Sequence, residues 1–201
     1  NLTNITFNCK NIGNWSSAYK TIQNVVLSDK VTTISVGAFE GCSSLTTIDI
    51  PNSVTTIGES AFYGCSSLTS IKIPNSVTAI GESAFCSCSN LTSIEISDNV
   101  TTIGERAFHA CSSLTSIDIP NNVTTIGDRA FQDSDIKEIV IPSTVTQIVN
   151  YESMCGNPRL KTVSVAGVTD AGEGIYDFRN ITRLAGGSKV LAGNADARYV
   201  P

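Results

Sequence analysis

The chain has 201 residues, a formal net charge of −5, 41% hydrophobic residues and only 15% charged ones. No basic run occurs anywhere in it, which argues against nucleic acid as a partner, because neutralising phosphates needs clustered Lys and Arg. No apolar stretch approaches the roughly 18 residues of a membrane span, and the polar remainder is dominated by Ser, Thr and Asn, a profile of short side chains on a β-rich surface rather than of disorder.

Residues 1–21 read as a shortened first turn that caps the chain. Leu2, Ile5 and Phe7 have strand spacing, Ala18-Tyr19 resembles later Ala-Phe pairs, and Trp15 and Tyr19 are expected to cover the open end. The sequence starts at Asn1 without a charged segment leading into an apolar core, so it reads as a mature or trimmed piece. From Ile22 onward one phrase repeats, reopening at Leu45, Leu68, Leu91, Leu114, Ile136 and Leu160. The spacing is 23 residues until Leu114, where one residue is lost before Ile136 and regained before Leu160. A period between 20 and 50 residues marks a stacked-repeat architecture, in which each turn buries its apolar side against its neighbours.

The turn from Leu68 to Asn90 shows how the phrase works. Ile71 and Ile73 alternate with Ser70 and Lys72, so a short strand turns the isoleucines inward and the polar pair outward. Pro74 has no N–H and ends the strand, as do Pro51, Pro120 and Pro142 in their turns. Val77 and Ile80 re-enter the core, and Gly81 (with Gly58, Gly104 and Gly127) is expected to take a positive φ. Ala84-Phe85 then brings one ring inward, matched by Phe39, Phe62, Phe108 and Phe131. Burying about 1.5–3 kcal/mol per large apolar side chain barely exceeds the cost of ordering one turn, so only the array is expected to be stable.

The seven cysteines include Cys42, Cys65, Cys88 and Cys111 at one repeat position. They are read as a ladder of buried free thiols behaving as small hydrophobes. A disulfide framework is the rival, although side chains stacked in parallel do not face one another as a bridge requires. Cys9 lies off this ladder and is expected to be exposed. Residues 166–201 lose Cys and the Pro position, become rich in Gly and Ala, and read as a C-terminal cap with one degenerate turn, Phe178 and Leu184 echoing the repeat.

The pattern Leu-x-x-Ile-x-Ile-Pro-x-x-Val-x-x-Ile-Gly-x-x-Ala-Phe-x-x-Cys-x-x, close over residues 22–148 and looser on either side, resembles the 23-residue leucine-rich repeat of BspA-like bacterial surface proteins. It departs from the general leucine-rich consensus, since Ser53, Ser76, Asn99 or Asn122 precedes the valine where that consensus leads one to expect an asparagine ladder. The resemblance implies a right-handed solenoid with short parallel strands on a concave face and loops or short helical turns on the convex face. The repeat array then spans residues 22–165, between the caps at 1–21 and 166–201. It also implies an extracellular or cell-surface module for adhesion, binding a protein or glycan of a host or neighbouring cell.

Stacking places Val26, Asp49, Lys72, Glu95, Asp118, Val140 and Ser164 in one outward column of that sheet, and Asn24, Thr47, Ser70, Ser93, Ser116, Glu138 and Thr162 in another. The candidate ligand-binding residues are Thr47, Asp49, Ser70, Lys72, Ser93, Glu95, Ser116 and Asp118, a mildly acidic, hydroxyl-lined surface. The bland reading is that a solvent-facing strand surface is polar anyway. Glu59, Glu82, Glu105 and Asp128, with Arg106 and Arg129, read as solvated loop charges rather than a calcium or partner site.

Catalysis is not expected. The single histidine, His109, reads as an exposed loop residue, with nothing at repeat spacing to supply both a nucleophile and an orienting acid. Cys86 and Cys88 lack a second pair of zinc ligands, and no glycine-rich stretch has the strand–loop–helix context of a phosphate site. No metal and no cofactor is expected. The alternative to a binding module is a spacer that projects another domain and has no ligand of its own.

Overall fold

The computed structural model describes residues 3–14, 20–142, 144–145, 147–148, 156–160, 162–165 and 183–185. Trp15, Ala18, Tyr19 and Phe178, on which the two capping expectations lean, lie outside the described residues, as does most of 166–201.

Each turn contributes one strand to each of two parallel ladders. The first ladder is a row of three hydrogen-bonded sheets in succession: β1 (Asn4–Phe7), β3 (Asn24–Leu27) and β5 (Thr47–Asp49); β7 (Ser70–Lys72) and β9 (Ser93–Glu95); and β11 (Ser116–Ile117), β13 (Glu138–Ile141), β15 (Thr162–Val165) and β16 (Arg183–Ala185). Partners lie one period apart, for example Ile71 opposite Ile94 and Val25 opposite Ile48. The first pairing, Asn4 with Asn24, spans 20 residues, which is the shortened spacing of the opening turn. β16 pairs in parallel with β15, setting Leu184 opposite Val163.

The second ladder is made of two-residue strands: β2 (Asn11–Ile12), β4 (Thr33–Ile34), β6 (Thr56–Ile57), β8 (Ala79–Ile80), β10 (Thr102–Ile103), β12 (Thr125–Ile126) and β14 (Gln147–Ile148). Between the ladders the chain turns at the proline position, where the Val77 N–H donates to the Pro74 carbonyl and Val54 and Val123 repeat the bond to Pro51 and Pro120. No helix occurs among the described residues. The expected convex turns are single i→i+3 turns, such as Cys65 N–H to the Phe62 carbonyl at 3.1 Å.

Glycine's role differs from the expected one. Positive φ falls two residues after the repeat glycine, at Ser60, Ser83, Arg106 and Arg129 (and at Gly37, where Ser35 takes the glycine position), and again at Gly41, Gly64, Ser87, Ala110, Asp133 and Gly156. These left-handed residues turn every second amide toward the next coil: Ser83, Phe85 and Ser87 donate to the carbonyls of Glu105, Ala107 and His109 at 2.7–2.9 Å. Gly58, Gly81, Gly104 and Gly127 are not among the positive-φ residues. They are required because a Cβ on any of them would sit 2.4–2.8 Å from the backbone of the preceding turn. Only glycine lets successive coils approach that closely.

The core is a set of columns. Phe39, Phe62, Phe85, Phe108 and Phe131 stack face to face with centroids 5.2–5.8 Å apart and planes within 16° of parallel. Such pairs contribute about 0.5–1.5 kcal/mol beyond their burial. Cys42, Cys65, Cys88 and Cys111 are buried and unbridged, and Cys9 is exposed and free. The ladder thiols do more than pack. Cys65, Cys88 and Cys111 each donate Sγ–H to the carbonyl of the phenylalanine one turn back, Phe39, Phe62 and Phe85, at 3.1–3.2 Å. Ser134 and Asn157 continue the column, donating to Phe108 and Phe131 at 2.9 and 2.8 Å. The carbonyls of Phe39, Phe62, Phe85 and Phe108 also accept the backbone N–H three residues on, so the side chain supplies a second donor, and the change from Cys to Ser and Asn along the column keeps a buried donor rather than cysteine as such. The column keeps its 23-residue step through Cys111, Ser134 and Asn157. The lost residue is therefore absorbed between Ser134 and Ile136, outside the strands.

Burial pushes the Cys88 thiol up to about 12, and it raises Cys65 and Cys111 as well. In the unfolded chain such a thiol releases its proton near its ordinary value of 9.0. The folded state therefore binds more protons above that point, and stability is full below about pH 9 and declines as pH rises toward 12. The expected slope is about 1.4 kcal/mol per pH unit for a fully buried thiol. Urea unfolding at about pH 8 and about pH 10 checks this. Cys88→Ser, which retains a donor for Phe62, should lose less stability between the two than the parent chain.

Candidate functional site

The surface singled out by the sequence is the outward side of the first ladder. Because successive strand residues point to opposite faces, burying Ile48, Ile71 and Ile117, with Ile94 packed partly buried against the same core, forces their neighbours out. Thr47, Asp49, Ser70, Lys72, Ser93, Glu95, Ser116 and Asp118 are all exposed. Strand register brings Ser70 beside Ser93 and Lys72 beside Glu95, whose Nζ and Oε1 are 2.5 Å apart. Thr47 lies beside Asn24, Asp49 beside Val26 and Ser116 beside Glu138. The Lys72–Glu95 pair is about two-thirds exposed on both sides and neutralises its own charge, so it adds little stability. Asp49 and Asp118 remain as the net charges flanking it in that column.

Val26 and Val140 occupy the same column toward its two ends and are 58% and 59% exposed. The surface is thus polar and charged in its middle turns and apolar toward both ends. Sequence reasoning placed both valines in this column without counting them as candidate binding residues. Their outward position in a column of Asp, Lys and Glu was the available signal.

The margin of this face explains the threonine content. Thr69 and Thr92 hydroxyls donate to the Thr46 and Thr69 carbonyls at 3.4 and 3.0 Å, one turn back. Thr55, Thr101 and Thr124 do the same beside the second ladder, to Thr32, Thr78 and Thr101. Asn99 and Asn122 donate to the Asn75 and Asp98 carbonyls at 2.7 and 2.6 Å. An amide ladder thus exists in part, at two of the positions where serine occupies other turns. These side chains hold coils together, whereas of the eight candidates above only Lys72 and Glu95 pair across coils.

On the convex side Glu105 pairs with Arg106 at 3.6 Å and Asp128 with Arg129 at 3.9 Å, each a contact between chain neighbours. His109 differs from its expected setting. Its side chain is only 27% exposed, its Nδ1 lies 3.6 Å from Cys86 Sγ, and its Nε2 lies 3.4 Å from Asp133 Oδ2. A thiol one period earlier and a carboxylate one turn later therefore do flank it, contrary to the sequence reading. The spacing 86, 109, 133 was the signal, blurred because Asp133 is 24 residues on rather than 23. Among the described residues no group of three or more His, Cys, Asp or Glu is placed to hold a metal ion, and no helix is long and apolar enough to cross a membrane.

Solved structures share this architecture. A leucine-rich repeat protein of T. pallidum is 34% identical, with a TM-score of 0.54 over 55% of this chain and 52% of that one. A leucine-rich cell surface protein of Faecalibacterium prausnitzii is 27% identical, with a TM-score of 0.58 over 85% of this chain and 64% of that one. The pneumococcal vaccine antigen PcpA, at 18% identity and a TM-score of 0.57 over 98% of this chain, shares the fold. This chain thus spans about half the length of the T. pallidum protein and 64% of the Faecalibacterium protein. No curated protein matches it. The BspA-type leucine-rich repeat matches in six copies over residues 1–46 and 32–161, and the chain belongs to that family.

Proposed function

We propose that this chain is a non-enzymatic, extracellular or cell-surface binding module. It docks a protein or glycan of a host or neighbouring cell on the outward columns of the concave sheet. The observation that carries this reading is the division of labour among polar side chains. The threonines and asparagines at the margins are tied into the backbone. Thr47, Asp49, Ser70, Ser93, Ser116 and Asp118 are exposed and serve no coil-to-coil contact, so their side chains are free for a ligand. Exposed Val26 and Val140 add apolar area on either side of the polar centre, and a docking face commonly combines the two. The description of the Faecalibacterium relative as a cell surface protein supports the location.

Binding to a panel of matrix proteins, mucins and glycans tests the reading. It is run beside a variant with Asp49→Ser, Lys72→Ser, Glu95→Ser and Asp118→Ser. The expected result is a partner whose affinity falls about ten-fold or more in the variant, a loss of at least about 1.4 kcal/mol, at unchanged melting temperature. A partner bound equally by both chains would move the site to the convex loops. Binding to none of the panel would favour a spacer role.

A further inference from the structure

The convex side carries a thiol, an imidazole and a carboxylate in line across three successive turns, and nothing in a docking role uses them. Asp133 Oδ2, an acceptor 3.4 Å from His109 Nε2, favours the tautomer with the hydrogen on that nitrogen. The other ring nitrogen, Nδ1, then presents its lone pair to the Cys86 thiol 3.6 Å away. A nucleophile facing a base that a third group orients is the arrangement that activates a weak nucleophile.

Cys86 stands apart from the other described thiols. Cys65, Cys88 and Cys111 give their protons to backbone carbonyls inside the core, and Cys9 gives its own to the Asn11 carbonyl at 3.3 Å. Only Cys86 faces a base. It is 5% exposed, in a column whose neighbours on either side, Tyr63 and His109, reach solvent. Burial raises its pKa, while the Ser87 hydroxyl and the Arg106 guanidinium act in the opposite direction. The pair offers a metal ion only two donors, because Asp133 lies on the far nitrogen.

We infer that Cys86, His109 and Asp133 form a base-assisted thiol site on the convex face that is modified by low-molecular-weight disulfides. The step is thiol–disulfide exchange. His109 Nδ1 takes the Cys86 proton, and the thiolate attacks one sulfur of RSSR. The S–S bond of the reagent breaks as the bond from Cys86 to RS forms, and RS⁻ leaves with the proton held by the imidazolium, as RSH. Asp133 is a positioning residue that stabilises the imidazolium between these events. The outcome is one mixed disulfide per chain, with no turnover, so the site is compatible with a binding role on the opposite face.

The test uses oxidised glutathione and the whole chain in a Cys9→Ser background, with the adduct located by peptide mass mapping and its rate followed over time. The expected result is an adduct at Cys86. Its rate should fall about ten-fold or more in His109→Gln, the lower range of a positioned base, and less in Asp133→Asn, with recovery in Asp133→Glu. A merely shielding His109 predicts the opposite sign, since removing the ring would expose Cys86 and speed its modification. A faster or unchanged rate in His109→Gln overturns the inference, and so does a parent chain modified elsewhere but not at Cys86. Asp133 is mostly exposed, so Asp133→Asn retains the fold and decides the sign even if His109→Gln unfolds.

Discussion

Phe85→Ala is expected to destabilise the chain by about 3–5 kcal/mol, the range for removing a fully buried ring from a core that cannot collapse around the gap. Phe85 is 0% exposed and sits between Phe62 and Phe108, with ring centroids at 5.2 and 5.6 Å. Its backbone is also fixed, since its N–H donates to the Ala107 carbonyl at 2.9 Å and its carbonyl accepts from Cys111 Sγ. The coils above and below therefore cannot close over the cavity without breaking intercoil bonds. Lys72→Ala should change stability by no more than about 0.5 kcal/mol, because it removes one exposed ion pair. Urea unfolding of both variants checks the contrast. Equal losses would overturn the assignment of inside and outside on which the candidate surface rests.

Gly81→Ala is the second large effect, about 1–3 kcal/mol of destabilisation from overpacking against a backbone that cannot yield. The added methyl would lie 2.7 Å from both the carbonyl carbon and oxygen of Gly58 and 2.9 Å from the Glu59 nitrogen. Relief would require parting two coils that are joined by the pairing of Ile57 with Ile80 and by the Ser60, Phe62 and Gly64 amides, which donate to the Glu82, Ala84 and Cys86 carbonyls. Two residues away the expectation reverses. Ser83 holds a φ of 52°, where a side chain costs about 1–2 kcal/mol, so Ser83→Gly should be neutral or stabilising. Thermal melts of the pair measure both signs. A harmless Gly81→Ala beside a damaging Ser83→Gly would mean that the close approach and the left-handed position had been exchanged.

That pair of residues shows where sequence reasoning reached its limit. A recurrent glycine announces a backbone requirement, but positive φ and close approach leave the same signature. Ser60, Ser83, Arg106 and Arg129, which do adopt the left-handed conformation, are residue types that give no hint of it. Reading the cysteine column as small hydrophobes was right about burial and silent about hydrogen bonding. The continuation into Ser134 and Asn157 shows that the donor, not the sulfur, is what the column keeps. The candidate surface was more legible, because strand alternation leaves no freedom once the isoleucines are buried.

The sequence by itself determined the period, the parallel stacking, the inward and outward columns and the family. A 23-residue translation maps each position onto its equivalent in the next coil, so one turn read correctly describes its neighbours. Tertiary structure alone decided what happens where equivalent positions hold unlike residues. Cys86 and His109 share a column and Asp133 enters from the adjoining position. Their contact depends on how coils lie against each other to within a few tenths of an ångström, and a repeat consensus averages that away. The physical reason is that periodicity fixes backbone placement, whereas chemistry across coils comes from the side chains that break the period.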